Sequence, residues 1–240
     1  DSTNRPEWFQ TSPSLYAVAL AAECMAAAER MDAKSASLLR QLAAAQDRAF
    51  LSMPHRLNDP ARGFVSYADT ESGQPKIVDA KQSDGFSRHW ELGYGVHSTA
   101  MIALQCNTRQ RQLGASESGD EYRRLIVGAG TLYLSEHPDP AGDDLWAGEY
   151  GTVIFTLLAA YRISHEPRFL DRACALADEA IRVFWDGGKP LPRASTRTDY
   201  YDVVTGSDTL VLAFWQSTSK SQTKTCRSKS VTSYGRRRCL

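Results

Sequence analysis

The sequence predicts an all-α fold, and three observations support this prediction. Amphipathic stripes with a period of about 3.6 residues recur along the chain, strand signals are confined to one short hairpin, and short connections alternate with long ones. The predicted helices span residues 13–31, 34–52, 94–109, 119–135, 147–164, 167–184 and 206–216. The hairpin is expected around Gly63–Tyr67 and Lys76–Val78, within the first long connection.

Four of the predicted helices carry an apolar stripe that is expected to face the core. The stripe at 119–135 consists of Tyr122, Leu125, Ile126, Ala129, Leu132 and Tyr133. The stripe at 167–184 consists of Phe169, Leu170, Ala173, Leu176, Ala177, Ala180, Ile181 and Phe184. Two further stripes are Leu38, Leu42, Ala45 and Ala49, and Val96, Ala100, Met101 and Leu104. The first helix is expected to begin at Thr11-Ser12-Pro13, a cap residue followed by proline.

The connection lengths predict how the helices are arranged. About two residues join the first two helices, about nine join the third and fourth, and His165-Glu166 joins the fifth and sixth. The long connections are residues 53–93, 136–146 and 185–205. Since short connections join antiparallel neighbours, all three long connections should lie at one end of the helices. Repeated hairpins of this kind are typical of a solenoid or a closed toroid.

Charge divides the chain into two parts. Its 240 residues hold 28 basic and 28 acidic groups, but residues 217–240 contain seven Lys or Arg and no Asp or Glu. We therefore predict a helical domain over residues 1–216, with 21 basic and 28 acidic groups, and a basic Ser/Thr-rich tail over 217–240 outside the core. An acidic domain argues against a nucleic-acid partner, because phosphate contacts require clustered Lys and Arg.

Membrane, metal and cofactor signals are weak. No stretch approaches the roughly 18 apolar residues of a membrane span, so no membrane partner is expected. The five cysteines show no CxxC spacing, and no metal or cofactor is predicted. The chain begins at Asp1, which fits either a fragment or a secreted or periplasmic protein whose leader was removed. Compartment and oligomeric state stay open.

The long connections are rich in residue types that handle sugars, because aromatic faces pack on pyranose C–H groups while carboxylates bind hydroxyls or transfer protons. The candidate catalytic residues are Glu149, Asp144, Asp202 and His89. The candidate substrate-binding residues are Trp90, Glu91, Tyr94, His97, Trp146, Tyr150, Arg193, Tyr200, Tyr201 and Asp208.

Several of these residues also have a purely structural explanation. Asp143, Asp144 and Asp208 stand at predicted helix starts, where acidic caps are favoured. Glu149 in a first turn would interact favourably with the helix dipole. Trp215 lies in an apolar run and is expected in the core. His137 and His165, at helix ends, are interpreted as structural.

One segment resembles a known architecture. Ala159 to Asp186 contains a hairpin turn, the pair Phe169-Leu170, and a small-residue helix that ends in Phe184-Trp-Asp. It resembles the hairpins of six-hairpin (α/α) toroid proteins, which include glycoside hydrolases, polysaccharide lyases and N-acylglucosamine epimerase-like enzymes. The resemblance covers mainly residues 119–216, and it implies an incomplete ring, since the chain supplies about three and a half hairpins.

The resemblance implies a carbohydrate-active enzyme that acts on an oligo- or polysaccharide. As a glycoside hydrolase, it would use two carboxylates from Glu91, Asp143, Asp144, Glu149, Asp202 and Asp208. As a polysaccharide lyase, it would use a neutral His or Tyr as the base, with Arg88 or Arg193 opposite a uronate carboxylate. The sequence is also compatible with a non-catalytic scaffold that binds a glycan or a protein, and with an inactive fragment.

Overall fold

The computed structural model describes residues 9–55, 57, 63–69, 72, 74–76, 85–90, 98–138, 144–185, 189–201 and 206–221. Within these residues the fold is mostly helical, which confirms the all-α prediction at this level. The helices are α1 (Pro13–Ala28), α2 (Ala33–Ser52), α3 (Thr99–Leu113), α4 (Glu117–Ser135), α5 (Ala147–Ser164), α6 (Pro167–Phe184) and α7 (Ser207–Ser221). The strands are β1 (Phe9–Thr11) and β2 (Tyr67–Asp69).

Most helix ends match the prediction, but α3 does not. It begins at Thr99, where the Ser98 hydroxyl accepts a hydrogen bond from the Met101 N–H at 3.3 Å. It continues to Leu113 and ends at Gly114, whose φ of 60° favours glycine. Three residues rather than nine therefore join α3 to α4. Residues 94–97 of the predicted helix lie outside the described residues.

Helix α1 begins at Pro13 as predicted, but the capping of α1 and the end of α7 differ from expectation. Ser12 occupies the N-cap of α1, but its side chain makes no capping hydrogen bond; instead its backbone N–H donates to the Ser66 carbonyl at 2.5 Å. Helix α7 continues to Ser221, so the predicted boundary at residue 217 falls within a helix.

The predicted hairpin is partly confirmed. Lys76 N–H donates to the Tyr67 carbonyl at 2.9 Å, and a bridge joins Ala68 to Pro75. The ordered sheet, however, pairs β2 with β1, an antiparallel strand that the sequence did not predict. Residues 77–78 of the hairpin lie outside the described residues.

The helices form two layers. The odd-numbered helices pack side by side in the order α1, α3, α5, α7, and each of the first three pairs with the even-numbered helix that follows it. The three hairpin connections contain four, three and two residues. Short connections of this length make the paired helices antiparallel, so the odd-numbered helices all begin at the end where the long connections lie.

The core forms around α5, whose buried residues face neighbours on several sides. One cluster joins α5 to α6 and includes the rings of Tyr133, Tyr150, Phe169 and Phe184. A second cluster joins α2, α3 and α4 and includes Phe50, Phe64, Ile102, Tyr122 and Ile126. The predicted stripes of α4 and α6 are confirmed, since nearly all of their residues are buried.

The predicted stripe of α2 is wrong. Leu38 and Leu42 are 60% and 42% exposed, whereas Ala36, Ala43 and Phe50 are buried. The reason is the partner helix: α1 is rich in alanine, and Ala43 packs against Ala21 and Cys24 at close range. Small residues permit this approach, so the face that carries Leu38 and Leu42 turns toward solvent.

The predicted stripe of α3 is only partly correct. Ala100 is buried, but Met101 and Leu104 are half-buried, and Val96 lies outside the described residues. Because α3 contacts α1, α4 and α5, it also buries Ile102, Ala103 and Cys106 on other faces.

Trp215 is not a core residue, contrary to prediction, because it is 69% exposed. Helix α7 stands at the end of the odd-numbered layer and packs mainly on α5. Leu210 and Ala213 are buried, whereas Leu212 and Trp215 are exposed.

Helices α2, α3 and α4 are joined by a buried ion pair. The Asp47 carboxylate accepts from Arg109 Nε at 3.0 Å, from a terminal Arg109 nitrogen at 2.6 Å, and from the Tyr122 hydroxyl at 2.9 Å. The Asp47 and Arg109 side chains are only 8% and 4% exposed. Burial, and then the charge of Asp47, raise the pKa of Tyr122, which therefore stays a hydroxyl donor.

None of the helices in the described ranges is long and apolar enough to span a membrane.

His55, just after α2, makes the stability of the fold depend on pH. It packs against the rings of Phe50 and Phe64, with centroids at 4.8 and 5.4 Å. Desolvation lowers the pKa of His55 from its ordinary 6.5 to about 4. The unfolded chain therefore binds a proton at a higher pH than the folded chain does, so stability is lost as the pH falls from 6.5 toward 4.

We expect acidification from pH 7 to pH 5 to lower the free energy of unfolding by about 2 kcal/mol through His55. The His55→Leu variant should lose this contribution, as measured by urea unfolding at both pH values. The control is His165→Asn, which changes an exposed histidine with a φ of 59° to a residue that tolerates this conformation. Equal pH dependence in the wild type and His55→Leu would contradict this assignment.

Candidate functional site

The described parts of the three long connections meet at the N-terminal end of α5. From the first connection, the Trp90 ring lies 5.1 Å from the ring of Tyr150, in the first turn of α5. The second and third connections are joined by hydrogen bonds from Leu145 N–H to the Thr196 hydroxyl and from Ala147 N–H to the Ala194 carbonyl, both at 3.0 Å. The predicted convergence of the long connections thus holds for the residues that the structure describes.

His89 and Trp90 lie against the C-terminal end of α4. The Tyr133 hydroxyl donates to the His89 carbonyl at 2.6 Å, and the Trp90 ring meets the Tyr133 ring edge-on at 5.9 Å. His89 Nδ1 lies 3.4 Å from a carboxylate oxygen of Glu136. The indole nitrogen of Trp90 is buried and has no hydrogen-bond partner in the described part of the chain.

Tyr150 connects this group to α6. Its hydroxyl donates to the Glu179 carboxylate at 2.7 Å, and the other carboxylate oxygen of Glu179 lies 3.6 Å from His137 Nε2. Burial, followed by the hydrogen bond to Glu179, raises the pKa of Tyr150 above its ordinary value. A Tyr–Glu–His group therefore lies beside Trp90.

Glu149 is the most enclosed carboxylate of the site. It stands in the first turn of α5 and is only 8% exposed. Burial raises the pKa of Tyr133, and the charge of Glu149 is the next largest cause, so the Glu149 carboxylate interacts electrostatically with this tyrosine.

We use the name acid–aromatic cluster for His89, Trp90, Tyr133, Glu136, His137, Glu149, Tyr150 and Glu179. The cluster holds three carboxylates and two imidazoles, which can donate or accept protons, around three aromatic rings. Its members come from the first and second long connections and from α4, α5 and α6. In chemical terms it can exchange protons with a bound ligand.

The other described candidates form an outer rim. Trp146 is half-buried and bridges to Ser195 in the third connection. Tyr200 and Tyr201 are 64% and 36% exposed, and Asp208 is exposed in the first turn of α7. These residues present aromatic and acidic groups to solvent near the N-termini of α5 and α7.

Two candidates hold loops or helix ends in place. Asp144 accepts from Arg197 N–H at 3.1 Å and from the Thr196 hydroxyl at 3.3 Å, so it joins the second connection to the third. It does not cap α5, whose N-cap is Trp146. Arg193 Nε donates to the Val183 carbonyl at 2.9 Å and satisfies the end of α6.

Five residues considered from the sequence lie outside the described residues, namely Glu91, Tyr94, His97, Asp143 and Asp202.

Sequence reasoning missed four members of the cluster. Tyr133 was counted only as a core residue, His137 was interpreted as structural, and Glu136 and Glu179 were not considered. One signal was available: Glu136 and His137 follow α4 directly and open the second long connection. No local pattern marks Glu179, which becomes part of the site only because α6 packs on α5.

A cavity of about 230 Å³ lies next to the rim, where α6 ends and the third connection returns. It is lined by Arg182, Val183, Phe184, Trp185, Lys189, Arg193 and Asp199. Phe184 joins it to the cluster, since its ring lies 5.3 Å from the ring of Tyr150. The cavity thus offers an indole and cationic groups beside the acid–aromatic cluster.

Across the ranges that the structure describes, no group of three or more His, Cys, Asp or Glu is placed to hold a metal ion.

Comparison of the chain with protein-family models, with curated proteins and with solved structures gives no match. Function is accordingly inferred from the side chains and geometry of the site.

Proposed function

We propose that the protein is a carbohydrate-active enzyme of the glycoside hydrolase type, which acts on an oligo- or polysaccharide at the acid–aromatic cluster. The observation that carries this proposal is the burial of Glu149 in the first turn of α5, next to Tyr150, with the carboxylates of Glu136 and Glu179 in the same cluster. Glycoside hydrolysis requires two carboxylates with different roles on either side of the bond.

The different surroundings of the carboxylates suggest their roles. Glu149, almost fully buried, would protonate the leaving oxygen as general acid. Glu136 would activate water or act as nucleophile, because its side chain is 29% exposed and can reach a water molecule. His89 Nδ1, which lies 3.4 Å from a Glu136 carboxylate oxygen, would orient this side chain. Glu179, 15% exposed and hydrogen-bonded to Tyr150, would serve as a positioning residue.

The rim supports sugar binding near these carboxylates. Half-buried Trp146, exposed Tyr200, and Trp185 in the neighbouring cavity offer aromatic faces at the same end of the helices as the cluster. Such faces pack on the apolar side of pyranose rings, while the hydroxyls turn toward carboxylates and arginines.

Elimination is less well supported than hydrolysis. A tyrosine base must lose its proton, but burial raises the pKa of both Tyr133 and Tyr150 above the ordinary value. Hydrolysis needs neither tyrosine to ionise, and the cluster supplies more carboxylates than an eliminating enzyme needs.

We also propose that the two helical layers form an arc of an (α/α) toroid. The ordered packing of α1, α3, α5 and α7, each of the first three followed by an antiparallel partner, supports this arrangement. It would place the acid–aromatic cluster at the end of the arc where the odd-numbered helices begin.

Product analysis after incubation with neutral and acidic polysaccharides tests the proposal. We expect new reducing ends without the ultraviolet absorbance of an unsaturated uronate, because hydrolysis creates no carbon–carbon double bond. Absorbance that grows with the reducing ends would instead identify elimination. Saturable glycan binding without cleavage would identify a scaffold and contradict the proposal.

A further inference from the structure

A second cavity, of about 410 Å³, opens at the opposite end of the layers, where α3 and α5 end and α4 begins. It is lined by Asn107, Gln110, Arg111, Arg123, Arg162 and Ile163. Three guanidinium groups from three successive helices therefore face one space, and the acid–aromatic cluster contributes no residue to it.

Arg123 is held in place by neighbours on α3 and α4. It donates to the Asp120 carboxylate and, at 3.1 Å, to the Gly114 carbonyl. With the Gln110 amide turned so that its oxygen faces the guanidinium, two further contacts form at 3.0 and 3.2 Å. This arginine is therefore a fixed wall of the cavity.

Arg111 and Arg162 are in a different situation. Neither pairs with a carboxylate in the described part of the chain, and Arg162 uses only its Nε, which donates to the Leu158 carbonyl at 3.1 Å. The two charges are close: partial desolvation, followed by the charge of Arg111, lowers the pKa of Arg162. Both arginines are exposed and line the same cavity, so their two like charges face one solvent-accessible space.

Helix dipoles explain this arrangement only in part. Arg111 and Arg162 each stand in the last turn of a helix, where a cation is favoured. That effect accounts for each arginine separately, but it does not account for their approach to each other beside Arg123. A bound anion would neutralise the shared positive charge.

We propose that this cavity binds a phosphate or sulfate group, either free or as part of a larger molecule, between Arg111, Arg123 and Arg162. Guanidinium groups present planar pairs of donors that match the oxygens of such groups. The Asn107 side-chain amide supplies a further donor at the same wall.

This site is tested by titrating the full chain with inorganic phosphate, with sulfate and with a hexose phosphate. Chloride at equal ionic strength gives the background. Isothermal calorimetry should detect phosphate or sulfate binding, and bound anion should raise the melting temperature. The double variant Arg111→Gln/Arg162→Gln should bind roughly tenfold more weakly or worse. Without anion it should melt no lower than the wild type, because a repulsion has been removed. If the hexose phosphate binds more tightly than inorganic phosphate, the site prefers a phosphate group that is part of a larger molecule.

The matched control is Arg124→Gln, an exposed arginine on α4 that pairs with Glu121. This variant should bind phosphate and sulfate with wild-type affinity, because the positive charge that it removes lies outside the cavity. Absence of phosphate and sulfate binding above the chloride background would overturn the proposal. So would equal binding by the double variant, or an equal loss in Arg124→Gln, which would indicate general attraction to positive charge.

Discussion

The Glu149→Gln variant is expected to cleave glycans between about 100-fold and 10,000-fold more slowly than the wild type. Glutamine keeps the size of the side chain but cannot donate a proton to the leaving oxygen. Glu149 is 8% exposed at the start of α5, so the effect should appear mainly in kcat. Reducing-end assays under saturating substrate would measure it.

Glu117→Gln is the matched control for this experiment. Glu117 also lies in the first turn of a helix, but it is exposed on α4 at the opposite end of the layers. Its replacement should leave the rate unchanged. If Glu149→Gln retains the circular dichroism and the activity of the wild type, Glu149 is not the general acid.

The Asp47→Ala variant is expected to lose about 3–5 kcal/mol of unfolding free energy. Removing this carboxylate leaves the Arg109 guanidinium, 4% exposed, without its ion-pair partner, and takes an acceptor from the Tyr122 hydroxyl. A buried charge without a partner lowers the free energy of unfolding far more than the loss of an ion pair at the surface does. Urea unfolding at pH 7 provides the measurement.

Asp120→Ala removes an acid from a more exposed ion pair and serves as the comparison. Asp120 and Arg123 are 68% and 34% exposed, so the expected loss is about 1 kcal/mol or less. The double variant Asp47→Leu/Arg109→Met should recover much of the stability, because apolar side chains can replace a buried pair. Similar losses in Asp47→Ala and Asp120→Ala would contradict a structural role for the buried pair.

Local signals made the helices predictable. Helices α5 and α6 begin and end at the predicted residues, because Pro167 fits the first turn of α6 and the intervening His165-Glu166 connection is too short for any other arrangement. The extension of α3 to Leu113 was missed, because residues 110–112 are polar and interrupt the apolar pattern before Leu113.

The buried face of α2 shows where local signals fail. Two faces of this helix contain apolar residues, one with Leu38 and Leu42 and the other with Leu39 and Phe50, so hydrophobicity alone does not select between them. The alanine-rich surface of α1 selects the other face, with Ala36, Ala43 and Phe50. A pattern within one helix does not contain that information, because it depends on the shape of the partner.

The candidate site was half predictable for the same reason. The alternation of connection lengths predicted that the long connections meet at one end of the helices. It therefore predicted the proximity of four residues in these connections or at the helix start that follows, namely Glu149, Tyr150, His89 and Trp90. Their partner Glu179 lies deep within α6 and reaches Tyr150 only through tertiary packing.

The first long connection packs against the start of α5, and this contact builds the acid–aromatic cluster. Nuclear Overhauser contacts between ring protons test it most directly, with Trp90 signals assigned through the Trp90→Phe variant. The Trp90 ring should show contacts to both Tyr150 and Tyr133, whose centroids lie 5.1 and 5.9 Å away. A Trp90 ring without contacts to either tyrosine would contradict the cluster and the proposed catalytic role built on it.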